Sequence, residues 1–179
     1  MTVTGKAAIL RSAGAPFELV EAEFDAPGTG EALVRMVATG LCHTDLGIQA
    51  IGAPFALPGI VGHEGAGVVE AVGPGVTRVA PGDRVLMSFT SCGGCASCTA
   101  GHPAYCVEWF PRNVLGEIRP ADSGATRVEG APTHAHFFGQ SAFAEWSIAD
   151  ERSLVRVAPD ARLCLVKEDE IFARPLSAR

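Results

Sequence analysis

Three stretches of the chain carry side chains that bind metals or move protons. In GHEGAGVVEAVGPGV, residues 62–76, the pair His63-Glu64 stands among glycines. Neutral imidazole is the commonest metal ligand near pH 7, and glycines at 62, 65 and 67 let the backbone turn tightly around whatever the ring holds. Upstream, Cys42-His43-Thr44-Asp45 follows Gly40-Leu41 at the end of an expected strand. A cation such as zinc beside that thiol lowers its pKa and makes it a thiolate ligand. Taken singly, each also has a plain structural explanation: His63 as an ordinary turn histidine, Cys42 as a small buried apolar residue.

The third stretch is SCGGCASCTAGHPAYC, in which Cys92, Cys95, Cys98 and Cys106 are spaced C-x2-C-x2-C-x7-C. Four thiolates with no open position suit a closed tetrahedral zinc, whose binding energy contributes directly to folding. A redox-active C-x-x-C and an iron–sulfur centre are the competing readings, but no thioredoxin-like βαβ pattern surrounds the cysteines. His102, His134 and His136 read as loop or packing histidines, since the cysteines already complete a tetrahedral set.

These groups need a scaffold, and the surrounding text is that of a sheet. Residues 6–10, 17–24 and 31–38 are short runs rich in Val, Leu, Ile and Phe, separated by Gly- and Pro-containing turns. Residues 85–89, 143–146, 147–149 and 153–157 continue the pattern. After Cys42 a short turn of helix is expected, capped by Thr44 or Asp45. Residues 51–61, IGAPFALPGIV, form a proline-broken apolar loop that either lines a pocket or packs on the core. Residues 107–136 have no sustained period and read as a long excursion containing a small hairpin.

The chain has 179 residues, 47% hydrophobic and 19% charged, which suits one folded domain. Fourteen basic against 20 acidic residues leave a net charge of −6 with no basic run, so nucleic acid is not an expected partner. No segment approaches the roughly 20 apolar residues needed to span a bilayer, and the opening residues lack the apolar core of a secretory signal. Six cysteines in that setting argue for a reducing compartment, by default the cytoplasm.

GLCHTD at 40–45, GHEGAGVVEAVGPGV at 62–76 and CGGCASCTAGHPAYC at 92–106 together resemble the N-terminal catalytic domain of the zinc-containing medium-chain alcohol dehydrogenases. HAHFFGQSAFAEW, from His134, is most similar to the aryl or benzyl alcohol branch. The resemblance covers roughly residues 6–157. It implies a mainly β fold with short helices, a GroES-like partly open barrel over residues 1–157 with a zinc-binding lobe at 90–108. It implies Cys42 and His63 as catalytic zinc ligands, Glu64 beside the metal, and Asp45 orienting His63. Thr44 would accept the alcohol proton, His43 would contact the pyrophosphate of NAD, and Cys92, Cys95, Cys98 and Cys106 would hold a structural zinc. The implied activity is oxidation of a primary, aryl alcohol to the aldehyde, with a small alcohol or aldehyde as the partner.

The chain also departs from that pattern. Gly47 stands where some members have a histidine in the proton relay. A third catalytic cysteine in a Gly-Cys-Gly context and a G-x-G-x-x-G nucleotide-binding turn do not occur, and Cys164, between leucines, does not match the missing ligand. Residues 158–179 diverge altogether, with KEDE at 167–170 reading as a solvated face. The expectation is therefore a catalytic-domain fragment, as from a truncated or frame-shifted gene, with an incomplete catalytic zinc site. Its docking face would be exposed and prone to association. The alternative is a non-catalytic module stabilised by structural zinc alone.

Overall fold

A computed structural model describes residues 2–160 and 163; of the divergent tail at 158–179, Cys164 and the charge run at 167–170 lie outside the described residues. The strands are β1 (Val3–Leu10), β2 (Glu18–Phe24), β3 (Glu31–Thr39), β4 (Gly59–Ile60), β5 (Gly65–Val72), β6 (Arg84–Met87), β7 (Thr126–Val128), β8 (Ala131–Pro132), β9 (Trp146–Asp150) and β10 (Leu154–Arg156). They form two five-stranded sheets, ordered β4-β1-β2-β7-β8 and β10-β6-β5-β3-β9, with every pair antiparallel.

Side-chain alternation decides which face of each strand turns inward. In β1 and β2 the inward residues are Ala7, Ile9, Ala22 and Phe24, and they meet Leu33 and Ile148 from the second sheet across the shared core. β3 is apolar on both faces because both are covered. Leu33 points into that core, while Ala32 and Val34 pack with Val69, Val85 and Leu154 on the opposite side.

Residues 143–145 stitch the two sheets together. Ala8 N–H donates to the Phe143 carbonyl at 2.8 Å and Glu145 N–H to the Lys6 carbonyl at 2.8 Å, while Met36 N–H donates to the Glu145 carbonyl at 2.9 Å. This segment, expected as part of a strand, instead bridges β1 and β3, and β9 begins only at Trp146. It curls the sheets into a partly open barrel.

The turn expected after Cys42 is a nine-residue helix, α1 (His43–Ile51), and its N-cap is Cys42 rather than Thr44 or Asp45. Ile48 docks it against Leu10, Phe55, Val61 and Phe137. Phe55 and Val61 therefore place the proline-broken loop on the core. A four-residue helix, α2 (Ala96–Thr99), lies within the cysteine-rich lobe, and the β7–β8 hairpin supplies the hairpin expected in residues 107–136. Among the described residues no helix is long and apolar enough to cross a membrane.

Candidate metal centres

The first centre is assembled from the end of β3, the start of α1 and the loop before β5. Gly62 adopts φ +92°, a conformation glycine takes without strain, and a Cβ there would strike Phe143. Its N–H donates to Asp45 Oδ1 at 3.0 Å, and Cys42 N–H donates to Asp45 Oδ2 at 3.0 Å. His63 Nδ1 lies 3.1 Å from Asp45 Oδ1, so the fully buried Asp45 joins the helix start to the His63 loop. With Nδ1–H directed at the carboxylate, Nε2 is the nitrogen left to bind a metal.

Cys42, His63 and Glu64 each offer a ligand atom, and the three atoms lie within 4.8 Å of one another. Cys42 Sγ is 3.6 Å from Thr44 Oγ1. The Cys42 thiol is held below its ordinary pKa by the Thr44 backbone N–H above all, with burial opposing and the Thr44 hydroxyl and His63 assisting. Burial pushes His63 down, but Asp45 and then Cys42 outweigh it and leave its pKa raised. A sulfur, an imidazole and a carboxylate form a donor set suited to zinc with a fourth position open. His43 and Thr44 are exposed on the first turn of α1.

Two features here were not assigned from sequence. Phe138 stacks on the His63 ring at a centroid distance of 4.6 Å and 26°, and Trp109 meets Phe138 edge-on at 5.6 Å. Gln140, fully buried, donates to the carbonyls of His63 and Ser88 at 2.9 Å each and accepts from Gly65 N–H at 3.2 Å. Phe138 has φ 54°, a left-handed conformation unusual for an aromatic residue, within a Phe-Phe-Gly-Gln run that was the one available signal.

The second centre is the cysteine lobe. Ligand atoms of Cys92, Cys95, Cys98 and Cys106 lie within 4.8 Å of one another, and the Cys92 and Cys98 sulfurs are 3.9 Å apart. Four sulfurs at Zn–S bond length around one ion stand roughly 3.8 Å apart, close to the Cys92–Cys98 separation, so the donor set suits zinc. Backbone N–H groups already point at the sulfurs: Cys92 N–H at Cys106 Sγ, 3.3 Å, and Cys95 N–H at Cys92 Sγ, 3.4 Å. The Val107 and Cys98 N–H groups lower the Cys95 thiol to about 6, whereas burial raises Cys106 to about 11. Buried Asn113, in the turn that follows the lobe, ties that turn to the lobe's first residue, accepting from Thr90 N–H at 2.8 Å and donating to the Thr90 carbonyl at 2.9 Å.

His102, His134 and His136 are not part of either cluster. His102 and His134 are exposed and His136 is buried.

The alcohol dehydrogenase GroES-like domain matches residues 28–160. The chain belongs to the zinc-type alcohol dehydrogenase family. It is 40% identical over 164 residues to the geraniol dehydrogenase of Castellaniella defragrans, covering 92% of this chain and 44% of that protein. It is also 40% identical to an S-(hydroxymethyl)glutathione dehydrogenase of Photobacterium damsela subsp. piscicida, over 90% of this chain and 44% of that one. Among solved structures, an alcohol dehydrogenase zinc-binding domain protein from Burkholderia ambifaria superposes with a TM-score of 0.85 at 48% identity, covering 90% of this chain and 44% of its own. Benzyl alcohol dehydrogenase from Acinetobacter calcoaceticus gives 0.79 at 40% identity, with 89% and 42% covered. The GroES-like fold expected from the motifs is thereby established, and this dehydrogenase family implies zinc and a nicotinamide cofactor. The chain spans less than half the length of the curated relatives it matches.

Proposed function

We propose that this chain is the catalytic half of a zinc- and NAD-dependent dehydrogenase that oxidises a primary alcohol, aromatic or allylic, to the aldehyde. The observation that carries the reading is the convergence of Cys42, His63 and Glu64 beside the Thr44 hydroxyl. In this reading residues 1–157 are the catalytic domain, with the zinc lobe at 90–108, and nucleotide binding belongs to the part of the relatives that this chain does not match. Cys42 and His63 hold the catalytic zinc with Glu64 beside it, and Cys92, Cys95, Cys98 and Cys106 hold the structural one.

Bound zinc supplies Lewis acidity toward an alcohol oxygen, and NAD supplies the hydride acceptor. The chain's own residues do the rest. Asp45 fixes the His63 ring and its tautomer. Thr44, exposed on the first helical turn, takes the alcohol proton toward solvent, and His43 next to it is free to meet a pyrophosphate. Phe138 and Trp109 wall the site with aromatic surface that favours a flat, unsaturated substrate and excludes water. Geraniol and benzyl alcohol, named for two of the relatives, both carry a primary hydroxyl next to a π system. The free thiols of Cys42, Cys92, Cys95, Cys98 and Cys106 suit a reducing compartment such as the cytoplasm.

The second reading, a folded module that keeps only structural zinc, is favoured by the inequality of the two centres. One offers four cysteines, the other a single cysteine, a histidine and an exposed glutamate. Zinc content of the metal-replete chain, measured alongside NAD reduction by benzyl alcohol and by geraniol, separates the two. Two zincs per chain, with turnover once a nucleotide-binding half is supplied, are expected. A single zinc that disappears in Cys106→Ser would leave the structural module as the answer.

A further inference from the structure

Beside the cysteine centre, with Cys98 in its wall, a cavity of about 320 Å³ opens between the cysteine lobe and the turn that precedes β10. Its wall includes Arg78, Arg152, Ser88, Ser91 and Gly93. The two arginines come from different turns, and a carboxylate locks those turns together: Glu151 Oε2 accepts the N–H groups of Thr77 and Arg78 at 2.9 and 3.2 Å. The Arg152 turn is capped in its own right, because Arg152 N–H donates to Asp150 Oδ1 at 2.8 Å. The Arg152 guanidinium then lies flat against Gly93, where any side chain at 93 would displace it.

Both guanidiniums are exposed, and among the described residues neither forms an ion pair, whereas Arg11, Arg112, Arg119, Arg127 and Arg156 all do. Asp150 and Glu151 direct the oxygens just described at backbone N–H groups, and neither lines the cavity. The wall of the cavity thus includes two arginines that form no ion pair among the described residues, and two serines. Guanidinium forks bind carboxylate or phosphate in bidentate fashion. Two forks from different turns, with two serine hydroxyls in the same lining, offer more N–H and O–H groups than a planar carboxylate can accept. A tetrahedral dianion accepts on every side.

We propose that this cleft is a binding site for a phosphate group, held between Arg78 and Arg152 with Ser88 and Ser91 as hydroxyl donors. The cavity is larger than one phosphate requires, so the ion is either free or carried on a small organic monoester.

Isothermal titration of the zinc-replete chain with inorganic phosphate, at constant ionic strength set by chloride, tests the site. Saturable binding of one phosphate per chain is expected, weakened at least about tenfold in Arg152→Gln and in Arg78→Gln. Arg78 lies on an exposed turn, so its variant keeps the question open should Arg152→Gln fail to fold. Phenyl phosphate titrated in parallel identifies the source. Tighter binding of the ester points to an organic phosphate, and equal or weaker binding to the free ion. No saturable heat, or binding that survives both substitutions, would overturn the proposal.

Discussion

Asp45 Oδ1 receives both the Gly62 N–H at 3.0 Å and the His63 ring at 3.1 Å, while its other oxygen takes the Cys42 N–H. One buried carboxylate therefore sets the positions of two candidate ligands that are distant in sequence. Asp45→Asn keeps the shape but must turn an NH2 toward at least one of these donors. The expected result is a stability loss of about 1–3 kcal/mol and a fall in metal affinity of about 10–100-fold at the Cys42–His63 centre. Competitive chelator titration would resolve the two centres, because the cysteine lobe should retain its zinc unchanged. Equal loss from both centres would mean that Asp45 acts only through global stability.

The cysteine lobe makes a separate prediction. Its described regular structure is little more than a one-turn helix and a short 3-10 turn, so little besides metal holds its sulfurs together. Cys106→Ser, or removal of zinc by a strong chelator, is expected to lower the thermal midpoint and expose the remaining lobe thiols to a thiol reagent. Protection of those thiols without metal would count against a structural zinc.

The cysteine cluster and the strand runs were legible in the sequence because they are local. C-x2-C-x2-C-x7-C keeps four sulfurs within 15 consecutive residues, and the strand runs alternate visibly. Gln140 and Phe138 were not readable in the same way. Gln140 reaches back 77 residues to the His63 carbonyl, and nothing in its neighbours announces that contact. The length of α1 was hidden by Gly47, a poor helix former in the middle of the segment, whose cost is offset by the burial of Ile48 one residue later. The strand expected over residues 143–146 failed because its hydrogen bonds go to both sheets, a tertiary choice that local alternation does not encode.

His136 should impose a pH dependence on folding. Burial first, then Arg119 and Arg112, hold its pKa well below 6.5 in the folded chain. As pH falls below about 6.5, the unfolded chain takes up a proton that the folded chain refuses. Stability should be flat in this contribution above that pH and decline below it, with a limiting slope of about 1.4 kcal/mol per pH unit for a full proton. His63, with a raised pKa, contributes the opposite sign: stability present at low pH and lost as pH rises through its folded value. Because His63 is common to both proteins, urea unfolding of the parent and of His136→Phe between pH 5 and 8 isolates the His136 contribution. The lowered pKa values of Asp25 and Asp122 act below their ordinary 3.8, outside that window. Parallel profiles for the two proteins would show that His136 does not stay neutral in the fold.

Glu64 can be tested without touching it. A Cβ at Gly40 would land on the Glu64 carboxylate oxygen, the free end of a flexible exposed side chain, and would crowd the Glu64 Cβ at 3.1 Å. Gly40 does not need a left-handed backbone, so Gly40→Ala should fold while pushing the carboxylate away from Cys42 and His63. If Glu64 is a working donor, zinc affinity at that centre should drop about tenfold or more and the cysteine lobe should be untouched. Glu64→Gln should produce a loss of similar size, since the amide oxygen is a poorer ligand than a carboxylate. Unchanged affinity in both variants would assign metal binding at this centre to Cys42 and His63 alone and leave Glu64 a bystander at the rim.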